Sequence, residues 1–211
     1  MRYGYVTLLL LLLRSSTLAA QDAPLRQVSK GTLISRSDPA ASFEIDRAFH
    51  YVGGQTIDIL GVAGAEQYFF MDTAAAHSIR RFYWIQFEHY YASNTATYDY
   101  TGMALHPVQL GSIPFLGDIR TIPQYFTDDN RPGSDSKAAE DFLVAHGLAL
   151  QGTFVTLRLF NLPDSTRRRE LMVIYGELLP NGASEERVRS TITAHAQANI
   201  GVRAYTVAAR H

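Results

Sequence analysis

The stretch Arg80-Arg81-Phe82-Tyr83-Trp84-Ile85-Gln86-Phe87-Glu88-His89-Tyr90-Tyr91 decides the fold. Its large aromatic and β-branched side chains suit a pleated, half-buried surface, and neither Gly nor Pro interrupts them. A strand turns successive side chains to opposite faces. Phe82, Trp84, Gln86, Glu88 and Tyr90 therefore share one face. Tyr83, Ile85, Phe87, His89 and Tyr91 share the other, which reads as core. The first face mixes rings with an amide and a carboxylate, as small-ligand pockets do. Ser93-Asn94 reads as a hairpin turn. Thr95 to Met103 then reads as a returning strand, with Tyr98 and Tyr100 on one side and Thr97, Asp99 and Thr101 on the other. The candidate ligand-binding residues are Trp84, Gln86, Glu88, Tyr90, Tyr98, Asp99 and Tyr100.

Upstream, the period-two pattern continues. Phe43 to Tyr51, Thr56 to Val62 and Gln67 to Met71 read as strands, with Gly53-Gly54 and Gly61 marking turns. Downstream, residues 104–135 are punctuated by Pro107, Gly111, Pro114, Gly117, Pro123, Pro132 and Gly133, so only short strands are expected there. Ser136 to His146 reads as a helix capped by Ser136 and stopped by Gly147, with Ala138, Phe142 and Ala145 on its buried stripe. Thr153 to Leu162 and Arg169 to Leu179 form a hairpin of bulky strands, the second apolar on both sides and so central in the sheet. Ser184 caps a last helix with Glu185 and Glu186 at its positive end, and Val188, Ile192, Ala196 and Ile200 on its buried face. Strands and helices are segregated along the chain. The fold class is therefore α+β, a mainly antiparallel sheet with two helices packed on one face.

The chain has 211 residues, 46% hydrophobic, with 12 Tyr, 11 Phe and 1 Trp, which demands a core and excludes a disordered protein. There is no cysteine, which excludes a disulfide scaffold and any thiolate metal site. Arg2, the leucine run Leu8–Leu13 and the small residues Ala19-Ala20 read as an export signal, too short in apolar length to span a bilayer. The expected organisation is 1–20 cleaved export signal, 21–42 extended leader with a short strand at Thr32 to Ile34, and 43–211 a single α+β domain, found in the periplasm or secreted. Without residues 1–20 the chain carries a small net negative charge, and no other stretch is apolar enough for a membrane span.

Familiar catalytic signatures are missing: no phosphate loop, no G-x-S-x-G, no H-E-x-x-H and no dinucleotide fingerprint. No two histidines lie at i,i+4 spacing, so neither a metal site nor a cofactor is expected. Ser134-x-x-Lys137 has the spacing of an acyl-enzyme nucleophile and its lysine, but serine before a helix reads first as a cap. Arg167-Arg168-Arg169 is flanked by Asp164 and Glu170 and lacks interleaved aromatics, which argues against nucleic acid. Arg80 and Arg81 read as strand-end charges beside Asp72, and Arg158 with Glu177 as a cross-strand pair. No family resemblance emerges.

These features lead to an exported soluble domain that binds a small, partly apolar ligand, or a partner protein, without catalysis. Two alternatives stay open. An acid–base or metal-assisted hydrolase would bring together two or more of Glu88, His89, Asp99, His50 and His106. A structural envelope or assembly protein would use the sheet face for protein contact.

Overall fold

The alternation at Phe82–Tyr90 is realised in the interior of a seven-stranded antiparallel sheet, next to the central strand Arg169–Leu178. The computed structural model describes residues 24–74, 78–122 and 131–204. The expected export signal lies outside them. In chain order the strands are β1 (Arg26–Ser29), β2 (Thr32–Ser35), β3 (Ala41–Ile45), β4 (His50–Ile59), β5 (Ala63–Thr73), β6 (Ile79–Tyr90), β7 (His106–Leu110) and β8 (Ile113–Ile122). Helix α1 (Asp135–Ala145) follows, then β9 (Phe154–Asn161), β10 (Arg169–Leu178), α2 (Glu185–Asn199) and β11 (Ile200–Ala204). The large sheet runs β4-β5-β6-β10-β9-β8-β7, and a smaller one runs β1-β2-β3-β11. The protein is thus a mixed α+β fold built on two antiparallel sheets.

β6 pairs with β5 on one side and β10 on the other, in the registers Gln67↔Gln86 and Glu170↔Glu88. Its two faces enter two cores. Tyr83, Ile85 and Phe87 pack with Leu33 and Phe43 of the small sheet, with Tyr175, and with Ile192 and Ala196 of α2. The Tyr83 hydroxyl donates to the Ala196 carbonyl at 2.7 Å, fixing α2 on this face. Phe82 and Trp84 pack with Phe69, Met172 and Ile174, and with Ala139 and Leu143 of α1. The helices therefore cover opposite faces of the large sheet, not the same face as expected. The reason is the small sheet, which shares one face with α2 and leaves the other to α1.

Other differences are local. Residues 24–42 of the expected leader hold β1 as well as β2, which takes in the short strand expected at Thr32 to Ile34, and Leu33 is fully buried. The expected strand Phe43–Tyr51 is broken after Ile45, where Asp46–Phe49 turns the chain from one sheet to the other. β8 is ten residues long despite Pro114, which lies beside the edge strand β7 and opposite Gln109. The β7–β8 turn docks on β11, where Ser112 N–H donates to Val202 O at 3.1 Å. Gly111 is required there, since it has φ +56° and a Cβ would lie 1.8 Å from Val202 O. Residues 95–103 form no strand. The buried stripe of α1 is Ala139 and Leu143, one residue on from that expected, and Ala145 is exposed.

Candidate functional site

Residues 92–105 return over the Trp84 face as irregular chain, and Arg168 holds them there. Its guanidinium donates to the carbonyls of Tyr91 (2.8 Å), Asn94 (2.6 Å) and Ala96 (3.0 Å). Tyr98 N–H adds a bond to Arg167 O at 2.8 Å. These carbonyls have no ladder partner, so a forked cation replaces the missing strand pairing. The segment then lays Tyr98 on Tyr90, with ring centroids 4.6 Å apart, and Tyr100 on Phe160 at 4.9 Å.

Beneath it runs a polar row that crosses three strands. Gln55 Nε2 donates to Gln67 Oε1 (2.8 Å) and to Ala138 O (2.9 Å). Gln67 Nε2 donates to Gln86 Oε1 (2.8 Å) and to Asp135 O (3.1 Å). Gln86 Nε2 donates to Glu88 Oε2 at 2.9 Å and lies 3.4 Å from Asp135 Oδ2. The Tyr98 hydroxyl closes the row on Glu88 Oε1 at 2.6 Å. Each glutamine thus spends both amide hydrogens, and the row fastens the first turn of α1 to the sheet.

The row ends in three carboxylates served unequally. Asp135 lies in the first turn of α1, where the helix dipole favours negative charge, and its Oδ1 accepts from Ser136 N–H at 2.7 Å. Glu88 accepts from Tyr98 and Gln86. Glu170 is 5% exposed and finds no hydrogen-bond donor among the described residues. Burial, and then the charge of Glu88 opposite it, push Glu170 well above the usual carboxylate range. Burial and Asp135 also raise Glu88, against the two hydrogen bonds it accepts. Tyr98 is raised as well, by burial first and then by Glu88. Among the described residues no cation forms an ion pair with any of the three, and no cluster of His, Asp or Glu is arranged to hold a metal ion.

The structure therefore sorts the expected site residues. Gln86, Glu88, Tyr90 and Tyr98 come together. Trp84 (2% exposed) and Gln86 (0%) are sealed beneath α1 and the 92–105 segment, whereas Glu88 and Tyr90 keep some exposure at the end of the sheet. Asp99 does not join them; it accepts from Thr101 N–H and faces Arg167 at 3.4 Å. Tyr100 stacks on Phe160 farther along the face. Gln55, Gln67, Asp135 and Glu170 belong to the cluster without having been singled out in the sequence. Only strand register brings them there.

The other motifs resolve into structural roles. Ser134 caps α1, its Oγ accepting from Lys137 N–H at 3.2 Å. Arg169 pairs with Asp38 at 2.6 Å, and Arg80 and Arg81 both pair with Asp72. Arg158 pairs with Asp118 at 2.6 Å and not with Glu177, which instead accepts from Tyr175 and contacts His195 Nδ1 at 2.9 Å. His89 lies on the face opposite Glu88, and His50 and His106 sit on opposite edges of the large sheet. The combination expected of an acid–base enzyme is not brought together.

Two hollows matter for access. One of about 440 Å³ is lined by His89, Tyr90, Ala92, Asp164, Thr166, Arg168 and Arg169, and so adjoins the exposed end of the cluster. A larger and more open one, about 770 Å³, lies between Lys30, Arg47, His50 and Ala198–Gly201. Its charged walls are mixed, with Glu44 and Asp46 against Lys30 and Arg47, and among the described residues no unpartnered buried polar atom lines it. The chain matches no protein-family model, no characterised protein and no solved structure.

Proposed function

We propose that this chain is an exported, non-catalytic binding domain that takes a small, partly apolar ligand at the Tyr90 end of the aromatic face. One observation carries the reading. Along β6 the aromatic–polar face is sealed at Trp84 and Gln86 but partly exposed at Glu88 and Tyr90, and Tyr90 lines a hollow of about 440 Å³. Tyr90, stacked on Tyr98, offers the hollow an apolar wall, and Asp164 and Thr166 in its lining offer polar atoms that fix orientation, the usual division of labour in a small-molecule site. Trp84, Tyr100 and the glutamine row hold that wall in place without touching the ligand, and Asp99 takes no part.

The reading of residues 1–20 as an export signal places this activity outside the cytoplasm, in the periplasm or the medium. The test is amide-shift mapping by NMR with monocyclic aromatic fragments: benzyl alcohol, benzylamine and benzoate. At least one fragment is expected to shift the amides of Glu88, Tyr90 and Tyr98, and Tyr90→Ala to weaken that response about tenfold. No shift from any fragment, or shifts confined to the hollow around Lys30 and His50, would overturn the site.

A further inference from the structure

We propose that Asn181 is a site of spontaneous covalent modification, losing its side-chain amide through a succinimide formed with Gly182 to leave aspartate or isoaspartate. Asn181-Gly182 is the one Asn-Gly pair in the chain. It lies in the exposed link between β10 and α2, where Ala183 N–H donates to Pro180 O at 2.9 Å and closes a turn. Gly182 sits in that turn at φ +78°, and a Cβ built on it would meet nothing within 4 Å. Among the described residues no hydrogen bond holds the Asn181 side chain or the Gly182 N–H. Both residues line a hollow of about 560 Å³ with Ser78 and Gln151, which leaves room for a ring and admits water.

The chemistry needs only water. The Gly182 amide nitrogen gives up its proton and attacks Asn181 Cγ. The N–Cγ bond forms, the Cγ–Nδ2 bond breaks, and ammonia leaves with that proton. Water then opens the ring. Attack at Cγ leaves aspartate, and attack at the backbone carbonyl leaves isoaspartate, whose chain runs through the side chain. A glycine on the C-terminal side leaves the attacking nitrogen unshielded. The other described asparagines lack both conditions. Asn94, Asn161 and Asn199 are followed by Thr95, Leu162 and Ile200. Their side-chain amides are held by the carbonyls of Val62 (3.4 Å), Pro114 (2.9 Å) and His195 (2.7 Å). The product puts a new carboxylate three positions before Ser184, the α2 cap, beside Glu185 and Glu186, where the helix dipole favours negative charge.

Peptide mapping by mass spectrometry of the full chain, aged in buffer at pH 6 and at pH 8.5, tests this. The tryptic peptide Glu170–Arg187 is expected to gain aspartate and isoaspartate forms at least tenfold faster than the peptides holding Asn94, Asn161 and Asn199, and faster at pH 8.5 than at pH 6. Asn181→Gln is expected to abolish the gain. A smaller excess, or no product in that peptide, would overturn the site. Aspartate without isoaspartate, or a rate independent of pH, would overturn the succinimide route.

Discussion

Glu170 couples this end of the protein to pH. In an unfolded chain its carboxyl ionises near 4.5; in the fold, burial and then Glu88 hold the proton to higher pH. The folded state therefore binds more protons across that window. The contribution to stability is complete below about 4.5 and is lost as pH rises through the folded value. Asp72 and Asp118 act with the opposite sign. Burial alone would raise them, but Arg81 and Arg80, and Arg158 and Arg120, outweigh it and lower both, so their contribution is lost as pH falls. Thermal melts across pH 4 to 8 separate the two effects. Relative to Glu170→Gln, the wild type is expected to lose stability steadily as pH rises above 4.5. Parallel profiles would show that Glu170 ionises freely. This residue was not legible in the sequence. Glu170 beside Arg169 reads as a solvated strand end until the β10–β6 register places it opposite Glu88.

At the scale of elements, legibility follows the range of the cause. The facing of β6 is a local steric consequence of a pleated chain, and its two sides do enter two different cores. The α2 cap is local too, Ser184 accepting from the amide three residues on, whereas α1 is capped by Ser134, two residues before the expected Ser136. The 92–105 segment fails for a complementary reason. Tyr98 and Tyr100 have the alternation of a strand, but no neighbouring strand is there to pair with. Its carbonyls go instead to Arg168, which lies more than seventy positions away in the sequence and could not be assigned from it. The Arg168→Ala change should release those three carbonyls. Hydrogen exchange at 92–98 is then expected to quicken at least tenfold, with β6 and β10 unchanged. Equal exchange in both proteins would mean that Tyr98 and Tyr100 stacking alone anchors the segment.

For the molecule as a whole, two cores on one central sheet explain why the site sits where it does. The small sheet and α2 close one face, and α1 with the 92–105 segment closes most of the other. Fully buried side chains such as Tyr83, Phe43, Phe82 and Phe154 each contribute about 1.5–3 kcal/mol to that closure. On the α1 face the glutamine row ties its buried amides to one another and to α1, and Glu170 lies beyond its end. The account therefore stands on Glu170 being a buried acid without a protein partner. A ¹³C-carboxyl NMR titration of the glutamate side chains measures this directly. The account predicts one glutamate titrating well above 4.5 that disappears in Glu170→Gln. A wild type in which every glutamate titrates near 4.5 would contradict it.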